Sequence, residues 1–355
     1  MNRIGRLFAL AACAVLLAGC ETLAYYSQAV GGQLSLSSGA RTIDAVLEDP
    51  ATTEELRARL RLAREIREFA TRELALPDEG SYRRYADLGR PFVVWNLFVT
   101  PEFSTRPVES CFPVTGCVSY RGYFAQADAN AYAQKMRAQG YDVQVNGIPA
   151  YSTLGWFEDP LLSTFIRYPE AELARLVFHE LAHHIVYVKG DTVFNESFAV
   201  AVERAGVRRW LGERKRAGDL AAFLAARERQ REFIGLVEAA RKRLDIVYST
   251  NLPPAEMREA KRAGFAQLQA DYAALKGRWG GFAGYDRIMG ASPGNALLAS
   301  ISAYSKFVPG FERMLEAEGG NLPRFYAAVK EVARLPKAER CRLLIEGPTA
   351  NSAGC

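Results

Sequence analysis

The chain has 355 residues, of which 49% are hydrophobic and 24% charged. That length buries one large core or two modest ones, and the composition excludes a disordered or fibrous chain. The formal charge of +5 includes Arg3 and Arg6, which belong to a leader segment, and the small excess left without them gives no ground for a nucleic-acid partner.

The leader reads as Arg3 and Arg6, an apolar run from Leu7 to Leu17, and the small residues Ala18 and Gly19 ahead of Cys20. This is a signal-peptide pattern over residues 1–19, and its apolar run is too short for a transmembrane helix, which needs about 20 residues. The ending Leu16-Leu17-Ala18-Gly19-Cys20 resembles the lipobox of bacterial lipoproteins, which implies a lipid anchor on Cys20. An ordinary cleaved signal with an incidental cysteine is the alternative. Glu21 follows the cysteine; under the sorting rule of such lipoproteins it directs the protein to the outer membrane, facing the periplasm.

Residues 20–90 are expected to form an N-terminal helical segment. From Thr53 to Leu76 the apolar positions Leu56, Leu60, Ala63, Ile66, Phe69, Ala70 and Leu74 recur at steps of three and four, the mark of an amphipathic helix, ended by Pro77. Residues 91–167 then turn β-rich: Phe92 to Val99, Val118 to Phe124 and Asp142 to Val145 read as strands, with a short helix from Asp128 to Gln139 closed by Gly140. A further extended segment, Ile148 to Leu154, leads into the motif region. With Cys13 lost in the leader and Cys20 lipidated, Cys111, Cys117, Cys341 and Cys355 remain for disulfides in an oxidising compartment. Three pairings are open; proximity favours Cys111 with Cys117 and Cys341 with Cys355. A zinc ribbon is disfavoured, because neither pair has the two-residue spacing.

Residues 168–355 read as a helical lobe with a C-terminal tail, including long helices from Glu213 to Tyr248 and from Pro254 to Trp279. Arg227, Arg229 and Arg231 could suggest a nucleic-acid face, but glutamates such as Glu228 and Glu232 are interleaved with them at helical spacing, as on a salt-bridged solvent face. The fold class is therefore α+β: a small β-rich lobe followed by a mostly helical one.

All three histidines of the chain fall within His179-Glu180-Leu181-Ala182-His183-His184. Four residues turn an α-helix by about 400°, so His179 and His183 share a face and Glu180 lies about 100° round beside them. Two imidazoles at this spacing suit Zn²⁺, and the adjacent carboxylate is placed to act as general base. Tyr187 to Gly190 looks like the end of that helix, and Asp191-Thr192 like the cap of a returning helix that carries Glu196 back toward the histidines. Glu196 completes the three protein ligands of a catalytic zinc site. Glu203, two turns further on the same face, is the candidate acceptor for the second ring proton of a liganding histidine, with a surface ion pair to Arg204 or Arg208 as its alternative. His184 should point elsewhere.

The His-Glu-x-x-His helix followed by Asn195-Glu196-Ser197-Phe198-Ala199 and Glu203 resembles the gluzincin peptidases, particularly the Asn-Glu-Gly-Phe-Ala segment of large zinc aminopeptidases. Ser197 stands for glycine here, and twelve residues separate His183 from Glu196 where those enzymes usually have eighteen, so the connection is shorter. Through Cys111 to Cys117, Tyr120 to Phe124, Ala150 to Phe157 and the zinc segment, nearly the whole mature chain is similar to the putative aminopeptidase family of bacterial lipoproteins. The resemblance implies zinc-dependent peptide hydrolysis with Glu180 as general base and an edge strand, expected at Ile148 to Leu154, that aligns substrate backbone. It also implies a tyrosine or histidine donor to the oxyanion, for which Tyr304 is the candidate, with a core role as the alternative. Glu158 and Asp159 are the nearby carboxylates for a substrate amino group. The rival expectations are an envelope endopeptidase and a non-catalytic, zinc-stabilised scaffold lipoprotein; a purely structural zinc site would need no base at Glu180.

Overall fold

The computed structural model describes residues 25–112, 116–150, 153, 158–290, 293–302 and 307–346. The leader, Cys20, Tyr304, Cys355 and most of the segment from Tyr151 to Phe157 lie outside these. Mostly helical elements enclose three small sheets, an α+β architecture. No helix among the described residues is long and apolar enough to cross a membrane.

Helix α1 (residues 25–39) leads into β1 (Arg41–Thr42), α2 (Ile43–Glu48) and α3 (Glu54–Leu74). The Thr53 side chain caps α3 by accepting from the Leu56 amide, and Glu54 and Glu55 face the positive helix end. Its inner face, from Leu60 through Ile66 and Phe69 to Leu74, is buried. Phe69 meets Trp210 edge-on at 5.0 Å. The helix stops three residues ahead of Pro77, because Ala75 turns left-handed with φ of 52°.

β2 (Arg84–Ala86) pairs with β1 and with β8 (Leu161–Leu162). The second sheet has β3 (Val94–Thr100) at its centre, between β6 (Arg121–Tyr123) and β7 (Asp142–Ile148), all antiparallel. Every residue of β3 is buried; α4 (Gln126–Ala138) covers one side through Ala129, Ala133 and Met136, beside Trp95, Leu97 and Val99. The sequence of β3 is accordingly apolar apart from Asn96 and Thr100. β4 (Ser110–Phe112) and β5 (Gly116–Val118) form a separate hairpin in which Cys111 faces Cys117 and is disulfide-bonded to it. Gly116 has φ of 78°, and a Cβ there would lie 2.8 Å from Cγ of Lys189 and 3.1 Å from the Gly190 nitrogen, so the hairpin rests on that loop. Cys341 is also disulfide-bonded; its expected partner, Cys355, is outside the described residues.

Two expectations need correction here. The strand expected from Val118 to Phe124 is two strands, broken at Ser119 and Tyr120, because β5 pairs with β4 while β6 pairs with β3. The extended segment expected from Ile148 to Leu154 begins where β7 ends. Pro149 has no amide to donate, and Pro149, Ala150 and Thr153 belong to no strand.

Beyond these come α5 (Glu170–Ala182), α6 (Thr192–Glu213), α7 (Ala217–Tyr248) and α8 (Pro254–Arg278). The break between α6 and α7 falls at Arg214 to Arg216, with Lys215 at φ of 56°, so α7 starts later than Glu213. α7 and α8 form a hairpin with its own core of Phe233, Val237, Leu244, Leu268 and Tyr272. α9 (Asp286–Gly290), α10 (Asn295–Ser302), α11 (Val308–Ala317), α12 (Leu322–Arg334) and α13 (Lys337–Glu346) complete the lobe. α5 and α6 pack closely because α6 offers Gly206 to Phe178, where a Cβ would approach the ring to 2.7 Å.

Candidate metal centre

His179 lies in the last turn of α5, and His183 is the residue that ends it, with φ of −61° and ψ of −22°. The helix therefore closes four residues before the expected end at Tyr187. The cause is on α6: the buried side chain of Asn195 accepts from the Val188 amide at 2.7 Å and donates to the Val188 carbonyl at 2.9 Å. This pins Val188 in an irregular stretch, residues 186–188, that a continuing helix cannot follow. Gly190 then turns with φ of 76°, and Asp191 caps α6 by accepting from the Phe194 amide. The short connection thus suffices to return Glu196 to the two histidines.

One donor atom from each of His179, His183 and Glu196 lies within 4.8 Å of the others. Nε2 of His179 is 3.2 Å from Oε2 of Glu196, and Nε2 of His183 is 3.8 Å from Oε1. The two rings stand nearly perpendicular, 5.0 Å between centroids. Nδ1 of His179 is 2.9 Å from Oε2 of Glu203, which is 2% exposed and also takes Nη1 of Arg175 at 2.9 Å. Arg175 donates through Nε to Glu172 at 2.7 Å, and Glu172 accepts from Arg227 at 2.9 Å. Glu203 therefore meets the histidine and not Arg204, which pairs with Glu312. His184 points away, 3.2 Å from Glu79.

Electrostatics follow from burial against charge. Burial opposes protonation of His179, but the hydrogen bonds and charges of Glu196 and Glu203 outweigh it and raise its pKa to about 10. Burial, with His179 adding to it, lowers His183 to about 4. Glu203 is held at about 2, because Arg175 and His179 overcome its desolvation, and Glu196 is lowered by the two histidines in the same way. Burial pushes Glu180 up to about 7, and the charges of Glu196 and Asp159 raise it further against His179 and Arg175.

Two imidazoles and a carboxylate converging from two packed helices, with Glu203 on the far nitrogen of His179, form a donor set that fits a divalent cation of the zinc kind. Nδ1 of His183 is buried with no hydrogen-bond partner among the described residues. Its Nε2 faces Glu196, on the side where the three donors meet.

The centre opens on a cleft of about 880 Å³. Tyr25, Tyr26 and Ala29 of α1, Val94, Asn96 and Gly122 of the second sheet, and Val200, Arg204, Arg227 and Ile234 of α6 and α7 line it. Tyr120 and Tyr187 also face it, and the hydroxyl pKa of each is raised, first by burial and then by Glu196. The sequence gives no signal for these two tyrosines. Arg175 could have been found four residues before His179, on the same helix face. Glu158 is exposed beside Gly80. Asp159 is buried, its carboxylate accepting from the Thr153 amide and its own amide bonded to Ser81. Neither is among the residues that line the cleft.

A family model described as "Putative aminopeptidase" matches residues 24–344. No curated protein and no solved structure matches the chain.

Proposed function

Because the chain belongs to the putative aminopeptidase family, we propose that it is a zinc-dependent peptidase whose ion is held by His179, His183 and Glu196, in the manner of the gluzincins. The observation that carries this is the convergence of those three side chains on α5 and α6 with Glu180 next in sequence to a ligand. His179, His183 and Glu196 would hold the ion, which would supply Lewis-acid chemistry for peptide hydrolysis.

The remaining work falls to the chain. Glu180 accepts a proton at a carboxylate oxygen and returns it to the leaving amine, the work of a general base that then acts as acid. Glu203 holds the Nδ1 proton of His179 and so leaves Nε2 to the metal. Tyr120, Tyr187 and Tyr304 are the proposed hydroxyl donors to the oxyanion; the first two line the cleft. The pattern of residues 1–20 and Glu21 supports a lipid anchor on Cys20 and an outer-membrane site facing the periplasm.

Metal analysis combined with a Glu180→Gln variant tests this. The parent should carry about one zinc per chain, and the variant should keep the metal and lose hydrolysis. A chain that purifies without metal and gains none from added zinc refutes the assignment. Comparing N-terminally free with N-terminally blocked peptides separates aminopeptidase from endopeptidase.

A further inference from the structure

β6 is an outer strand of its sheet, and backbone groups along its outward edge are already met by side chains of α1. The Phe124 amide just past β6 donates to Oε1 of Gln28 at 2.9 Å, and Nε2 of Gln28 donates to the Gly122 carbonyl at 3.3 Å. One primary amide thus supplies an acceptor and a donor to two residues spaced as a strand partner would meet them. Gln28 belongs to α1, whose Tyr25, Tyr26 and Ala29 line the cleft of the metal centre together with Gly122.

α1 is weakly held. Residues 22–40 contain no charged side chain, so no ion pair fixes the helix. Gly31 and Gly32 sit side by side in it, each costing a helix stability relative to alanine, and an isolated helix of this length is unstable in water. Beneath it lies a second cavity of about 540 Å³, bounded by Gly32, Leu36, Leu88, Arg90, Phe124 and Asp128. Outward it exposes Val30 and Leu34. Near the cleft it is held by the Gln28 amide pair, by a hydrogen bond between Tyr25 and the Gly122 backbone, and by the edge-on approach of Tyr25 to Tyr123 with the Arg121 guanidinium over its ring. These are features of a segment from the low-stability end of a fold.

We propose that α1 is a displaceable strap over the outer edge of β6, that the Gln28 amide stands in for a peptide group there, and that an extended polypeptide entering the cleft adds to β6 as α1 withdraws. This rests on the peptide-hydrolase reading above. An exposed strand edge recognises any extended backbone through main-chain hydrogen bonds, so the strap limits entry to chains that compete successfully with Gln28.

The test uses the full chain, zinc-loaded, in a Glu180→Gln background that binds without cleaving, with a short alanine–serine peptide as probe. Hydrogen exchange of residues 25–39 should rise when peptide binds, while exchange at Gly122 to Phe124 falls. Gln28→Ala should raise exchange of α1 without peptide and tighten peptide binding about five-fold, the effect of one net hydrogen bond. Gly31→Ala, at a position with nothing within 4 Å of an added Cβ, should act oppositely, weakening binding about five-fold by stiffening the helix. Peptide bound with α1 exchange unmoved, or Gln28→Ala binding no more tightly than the parent, overturns the strap alone. Zinc-loaded chains that bind no peptide in any variant overturn the hydrolase reading and the strap with it.

Discussion

Arg340 of α13 reaches across the helical lobe to Asp191, its Nη2 2.7 Å and its Nε 3.2 Å from the same carboxylate oxygen, Oδ2. Asp191 is the cap of α6, the helix that carries Glu196 and Glu203, and both partners are buried. The guanidinium also lies 5.5 Å from the centroid of Phe194. A residue near the C-terminus therefore anchors the start of the helix that brings the carboxylates to the centre.

Replacing Arg340 by alanine strands a buried carboxylate, a change that costs about 3–5 kcal/mol. The expected result is a correspondingly lower free energy of unfolding by denaturant titration. A variant as stable as the parent would mean that water reaches Asp191 and the pair contributes little.

Glu203→Ala removes the acceptor on Nδ1 of His179 and leaves Arg175 with Glu172 alone. Metal affinity should fall about 10–100-fold, read by competition with a chromophoric chelator. An unchanged affinity would show that the contact does not tune the ligand.

Without metal, His179 has a pKa raised from 6.5 to about 10 and is protonated at neutral pH. A ligand must be deprotonated, so metal uptake between about pH 7 and 9 should release close to one proton from this residue, and affinity should climb with pH through that window. Calorimetric titration in buffers of different ionisation enthalpy counts the protons. The same shift gives the metal-free chain stability that is fully present below about 6.5 and lost as pH rises through about 10. The lowered pKa of Glu203 gives stability present above about 4.5 and lost as pH falls through about 2.

Asn195→Ala leaves the Val188 amide and carbonyl without their side-chain partner. Two lost hydrogen bonds at a buried position cost about 2–4 kcal/mol. The loop from His184 to Gly190 should then exchange its amides faster, and metal should bind more weakly, because that loop sets where Glu196 returns. Protection equal to the parent would contradict the pinning role.

Where one element decides its own structure, the chain was readable. Thr53 caps α3 and Pro254 opens α8 as their positions predict, because caps and first-turn prolines act within one helical turn. His179, Glu180 and His183 could be located because helical geometry alone puts them side by side. The division of residues 116–123 between two sheets could not be read, since it depends on which distant strand each half meets. Nor could the early end of α5, which Asn195 imposes from the next helix. Tyr120 reaches the cleft from the β-rich lobe, and no spacing along the chain announces that approach.

Short connection between α5 and α6 has a consequence for assembly. The three candidate ligands, Glu180, Glu203, Arg175 and the pinning Asn195 all lie between residues 175 and 203. Contacts between residues so near in sequence close with little loss of chain entropy and form early in folding. An ion drawn to this helical pair would need neither the disulfide-closed hairpin on Lys189 and Gly190 nor α1 in place before it binds.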